Sequence, residues 1–93
     1  MSRVALHLAI SGVVQGVGYR RWLAREAQRL GVSGWVRNRS NGTVEAVVAG
    51  ETRAVEMFLA ACRSGPHGAV VSTVETAPAE APAEAGFSVL PTA

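Results

Sequence analysis

The chain contains no lysine and no aspartate; its nine basic residues are all arginine and its seven acidic residues all glutamate. Lacking lysine, it has no amine for a Schiff base and none for a Walker-type phosphate loop. Lacking aspartate, it has no aspartyl-phosphate nucleophile and no Ser-His-Asp triad. One cysteine, Cys62, cannot close an internal disulfide, so a reducing, cytoplasmic setting is the expectation. Cys62 falls on an apolar helical stripe and reads as a buried, inert thiol. Aromatic residues are few, and neither 43–49 nor 69–76 carries the stacking aromatics of an RNA-binding sheet. No apolar run approaches the ~18 residues that cross a membrane. The N-terminal MSRVALHLAISG is too short, and alternates too regularly, for a signal peptide. His7 and His67 have no metal-ligand neighbour at useful spacing, so no metal site is expected.

What is present fits one globular domain over residues 1–93. Hydrophobic residues make up 48% and the mean hydropathy is +0.20, enough for one core with little spare stability. The net charge of +2 conceals an asymmetry: residues 1–42 hold seven arginines against Glu26, and residues 43–93 hold two arginines against six glutamates. Arg21, Arg25, Arg29, Arg37 and Arg39 look at first like a nucleic-acid patch. Those in the helical segment fall on its polar face, which fits solvation with mild steering of an anionic substrate.

Val4, Leu6, Leu8 and Ile10 alternate with small or polar residues, the period of a strand with one buried face, and a central place in the sheet is expected for it. Residues 20–30 follow the helical period, with Leu23, Ala27 and Leu30 in one stripe joined by Tyr19, and Gly31 as the stop. Two strands are predicted at 32–38 and 43–49, joined by a turn at Asn41-Gly42. A second helix is predicted over 52–63, with Thr52 as N-cap and Gly65-Pro66 as terminator. Residues 69–76 read as a strand. The duplicated APAEAPAE at 77–84 reads as a mobile connection, and Phe87 and Val89 supply a short last strand. The order β-α-β-β-α-β-β predicts an α+β, ferredoxin-like sandwich: two helices on one face of a four- to five-stranded, mostly antiparallel sheet.

The chemistry concentrates in residues 12–20, GVVQGVGYR. Three glycines let the chain turn sharply and approach a ligand closely, and the stretch ends on Arg20 at the start of a helix. A cation there is unfavourable to the helix by roughly 0.3–1 kcal/mol. Unpaired amides point out of the same end. Together these describe a pocket for a small anion, phosphate foremost. The spacing does not match a P-loop, because three residues rather than four separate Gly12 from Gly16 and no lysine follows. A dinucleotide fingerprint fails at Arg21, where glycine or alanine is needed. A cysteine-phosphatase loop fails at Gly68, where arginine is needed.

GVVQGVGYR at 12–20, followed by GVSGWVRNRSNGTVE at 31–45, closely resembles the acylphosphatase family, and the similarity covers almost the whole chain. The resemblance implies metal-independent hydrolysis of the carboxyl-phosphate bond of acyl phosphates, with no cofactor. It implies catalytic roles for Arg20 and Asn38. It also implies a phosphate cradle from Gln15, Gly16, Val17, Gly18, Tyr19 and Arg20, with Asn38 orienting the attacking water. The expected partners are a small acyl phosphate, and inorganic phosphate or sulfate as product or inhibitor-like anion. A monomer binding neither nucleic acid nor membrane is expected. Tyr19 stands where phenylalanine is usual in the family. Two rivals come from other classes: a non-catalytic anion- or partner-binding module of the same fold, and a nucleic-acid binder using the arginine-rich half.

Overall fold

A computed structural model describes residues 2–93. The elements run β1 (Arg3–Val13), α1 (Tyr19–Leu30), β2 (Ser33–Asn38), β3 (Val44–Glu51), α2 (Thr52–Ser64), β4 (Val70–Pro78) and β5 (Phe87–Val89). They build a five-stranded sheet of order β4-β1-β3-β2-β5 with two helices on one face. All neighbours are antiparallel except β2 and β5, which are parallel. This is the expected ferredoxin-like α+β sandwich, and β1 does lie inside the sheet, between β4 and β3.

Alternation along the strands sorts residues between a covered and an open face. Leu8 and Ile10 of β1 and Val44, Ala46 and Val48 of β3 are fully buried under the helices. Tyr19, Leu23 and Ala27 of α1 and Val55, Phe58 and Cys62 of α2 close over them. Each large side chain so buried contributes about 1.5–3 kcal/mol. Burial pushes the Cys62 thiol up to about 12, which fits a core residue rather than a nucleophile.

On the open face, Glu45 accepts hydrogen bonds from His7 Nε2 at 2.7 Å, Arg37 Nε at 2.7 Å and Arg39 Nη1 at 3.1 Å. Burial alone would raise the Glu45 carboxyl, but these three donors outweigh it and hold the pKa at about 2. Arg37 also lies 4.9 Å over the Trp35 ring.

Two local expectations change. Thr52 is the first helical residue rather than the cap. Glu51 occupies the N-cap without a side-chain bond, and the Thr52 hydroxyl lies 2.9 Å from that of Ser2. The repeat at 77–84 also begins inside the sheet, since Ala77 and Pro78 pair with His7 and Leu6. Proline is tolerated there because β4 is an edge strand, with its other side unpaired.

Candidate active site

A cavity of about 460 Å³ opens where the 14–18 loop, the first turn of α1, the end of β2 and β5 meet. Arg20 and Asn38 both line it, as do Gln15, Gly16, Gly18 and Tyr19. Of the cradle residues named from sequence, Val17 does not line it; its side chain packs against the core instead. Arg21 and Val89 line it as well, and sequence reasoning assigned them no place there.

The loop has the geometry of an anion nest. Gly16 (φ 75°) and Gly18 (φ 76°) are left-handed, and Val17 between them has negative φ. Alternation of this kind turns successive amides toward one concavity. Among the described residues, no amide of 15–18 donates to another protein atom. Gly18 is also the N-cap of α1 and carries no capping side chain, so the first-turn amides have no side-chain partner there. That turn holds Arg20 and Arg21 and no acid. Cations so placed oppose the helix dipole, at roughly 0.3–1 kcal/mol each.

Two side chains fix the loop. Gln15 Nε2 donates to the main-chain carbonyls of Arg39 and Thr43, each at 2.8 Å. This ties the loop to the β2–β3 hairpin. The hairpin is itself closed by Arg39 N–H to Thr43 O at 2.8 Å and by Asn41 Oδ1, which accepts from the Thr43 amide and hydroxyl. At the other end, the Tyr19 hydroxyl donates to the Cys62 carbonyl at 2.7 Å. That carbonyl lies in the last turn of α2, where helical partners have run out. The Tyr19 hydroxyl therefore has a buried acceptor.

Asn38 ends β2 on the covered face, opposite Val44. Its carbonyl accepts from Ala93 N–H at 2.9 Å, and Leu90 N–H donates to Val36 O at 2.9 Å, so the segment after β5 runs along β2. The side-chain Oδ1 of Asn38 is buried and has no hydrogen-bond partner among the described residues. An acceptor left in that condition costs about 1–3 kcal/mol unless something in the cavity donates to it. Among the described residues the Arg20 guanidinium makes only a long contact, 3.4 Å from Nη1 to the Leu90 carbonyl, and no ion pair.

A nest of open amides, an arginine without an ion pair among the described residues and an orphaned amide oxygen thus meet at one cavity of a ferredoxin-like α+β fold. The acylphosphatase family model matches residues 6–89, and the chain belongs to that family. It is 59% identical over 88 residues to an acylphosphatase of Azorhizobium caulinodans, covering 94% of this chain and 95% of that one. It is 55% identical over 84 residues to an acylphosphatase of Acidiphilium cryptum, covering 90% and 92%. Among solved structures, an acylphosphatase from Coxiella burnetii superposes with a TM-score of 0.89 at 33% identity, covering 95% of this chain and 93% of that one.

Proposed function

We propose that this protein is an acylphosphatase, hydrolysing acyl phosphates to a carboxylate and inorganic phosphate. The observation that carries this reading is the meeting of Arg20, Asn38 and the loop residues Gln15, Gly16 and Gly18 around one cavity, with the Asn38 Oδ1 lacking a donor among the described residues. In the proposed mechanism, the Arg20 guanidinium takes two phosphate oxygens in a bidentate fork, and the amides of residues 15–20 take the rest. Asn38 Oδ1 accepts a hydrogen bond from water and holds it in line with the phosphorus–carboxylate bond. Water attacks phosphorus, the carboxylate leaves with the bonding electrons, and the water proton passes to the substrate's own phosphate or carboxylate.

This division of labour suits the reaction. Phosphoryl transfer asks the protein mainly for positioning and charge stabilisation. A carboxylate is a good leaving group, so no protein acid is required. Among the described residues, no three His, Cys, Asp or Glu side chains converge. The proposed chemistry runs on the guanidinium, the amides and the carboxamide.

The test is release of phosphate from benzoyl phosphate in the presence of EDTA. Turnover insensitive to the chelator is expected. Phosphate binding without turnover would instead favour a non-catalytic anion module. Nucleic-acid affinity falling steeply with salt would favour the arginine-rich surface as the functional one.

A further inference from the structure

Among the described residues, no hydrogen bond within the protein steers the side-chain oxygen of Asn38. Its direction is therefore set by the backbone at the end of β2, which aims the Cα–Cβ bond. Asn38 and Val44 form the last pair of the β2–β3 ladder, and the hairpin turn follows at once. On the other side, the Asn38 carbonyl accepts from Ala93 N–H. Bonds of this kind lie in the plane of the sheet. They fix the spacing of a strand better than its rotation about its own axis, which is why twist varies so widely between strands.

The open face supplies what the ladder lacks. Arg37 and Arg39 flank Asn38 and carry like charges, yet both converge on one oxygen of Glu45: Arg37 Nε lies 2.7 Å and Arg39 Nη1 3.1 Å from Oε1. Glu45 stands directly across from Arg37 on β3. Its other oxygen, Oε2, is held by His7 Nε2 of β1 at 2.7 Å, so the carboxylate cannot turn away without losing a partner. Its side chain is 16% exposed, which limits screening of these charge-assisted bonds. Each arginine has a second hold: the Trp35 ring lies 4.9 Å from the Arg37 guanidinium, and the Arg39 carbonyl accepts from Gln15 at 2.8 Å. We propose that Glu45 is a positioning residue for the reaction: it grips the residues on both sides of Asn38 from the far face of the sheet, and so sets the strand rotation that aims Asn38 Oδ1 at the water. Glu45 does not line the cavity and acts only through Arg37 and Arg39. This rests on the acylphosphatase reading and adds to it a support on the face opposite the chemistry.

The experiment measures kcat, KM and the inhibition constant of inorganic phosphate, with benzoyl phosphate as substrate. Wild type, Glu45→Leu, Glu45→Gln, Asn38→Ala and the double variant Glu45→Leu/Asn38→Ala are compared under conditions where urea melts show each to be folded. Glu45→Leu is expected to lower kcat about tenfold, the scale of a small misplacement. KM and phosphate inhibition hold, because Arg20 and the loop still take the phosphate and only the aim on water is lost. Glu45→Gln keeps an acceptor oxygen for the two arginines and recovers most of the loss. The double variant is no slower than Asn38→Ala alone, since no carboxamide remains to be aimed. A wild-type kcat in Glu45→Leu overturns the inference, and so do losses that multiply in the double variant. A raised KM with weakened phosphate inhibition overturns it too, since Glu45 would then support the whole pocket. Should Glu45→Leu fail to fold, Arg39→Gln takes its place in the cycle under the same criteria, with a loss of about threefold in kcat expected from releasing one arm. Wild type that releases no phosphate would instead overturn the enzymatic reading, and this inference with it.

Discussion

Gln15 and Thr43 are joined across the mouth of the site: the Gln15 carboxamide donates to the Thr43 carbonyl at 2.8 Å and, with its second hydrogen, to the Arg39 carbonyl at the same distance. The loop that presents the amides is thus tied to the hairpin that follows Asn38. Neither carbonyl depends on Gln15 alone, since Gly42 N–H also reaches Arg39 O and Arg39 N–H reaches Thr43 O.

Gln15→Leu is therefore expected to cost more in rate than in stability. Losing two neutral hydrogen bonds costs about 1–2 kcal/mol. Misplacing the nest relative to Asn38 should lower kcat/KM for benzoyl phosphate by about 10- to 100-fold. Chemical denaturation and steady-state kinetics on the same preparation check this. A variant as active as wild type would mean the loop holds its shape without the hairpin.

Tyr19→Phe should show the opposite balance. The Cys62 carbonyl loses its donor in a buried helix end, at a cost of about 1–2 kcal/mol. In a domain of this size each kcal/mol lowers the melting temperature by about 4–8 °C. The hydroxyl points into the core, away from the chemistry, so kcat is expected to change by less than threefold. Calorimetry with benzoyl phosphate kinetics separates the two effects.

The elements that sequence made legible are those set by local pattern. Alternation along Val4–Ile10 gave β1 its covered face, the 3.6-residue stripe gave α1 and α2, and Gly16 and Gly18 gave the loop, now seen as a nest, whereas Gly12, expected in the same loop, lies in β1 opposite Val71 at an irregularity in the strand pairing. Arg20 and Asn38 were named through the family resemblance, and both line the same cavity. What escaped depends on segments distant in sequence. Gln15 reaches residues 24 and 28 positions away, and no local pattern shows that its side chain, rather than its amide, is engaged. Val89 enters the cavity wall because β5 runs parallel to β2, opposite Val36, a register the proline-rich connection hides. Arg21 reads from periodicity as part of a solvated face, since helical spacing describes the far side of the helix but not the open end of its first turn. Thr52 looked like a cap because threonine favours that position, but the chain passes from β3 into α2 directly at Glu51.

Gly18→Ala isolates the backbone's part. A Cβ at residue 18 would meet nothing within 4 Å, so the cost is conformational rather than steric. Holding alanine at φ 76° costs roughly 1–2 kcal/mol, and relaxation of that strain redirects the amides. We expect a fall in kcat/KM of about 10- to 100-fold and weaker inhibition by inorganic phosphate. Unchanged phosphate inhibition would remove the nest from the binding account.

Glu45 should shape the acid side of the stability curve. Its carboxyl, held at about 2 in the folded protein against 4.5 as the ordinary value, binds protons more readily once unfolded. Its contribution is complete above about pH 4.5 and is lost as pH falls toward 2. Glu45→Gln is expected to lower stability at neutral pH by about 1–3 kcal/mol and to flatten the dependence across that window. Urea melts of both proteins between pH 2 and pH 7, a range chosen to span about two units on each side of the ordinary carboxylate pKa, test this. Parallel curves for the two proteins would assign the acid sensitivity to other groups.

The central claim is that Arg20 and Asn38 act on one phosphate from two sides of one cavity. The most direct measurement is kcat/KM for benzoyl phosphate, with EDTA present, for wild type, Arg20→Gln and Asn38→Ala, each with its circular dichroism. The account predicts a loss of at least ~10²–10³ in each variant with the native spectrum retained. Either variant keeping more than about a tenth of the wild-type value, a far smaller loss than a preorganised donor commands, would contradict it.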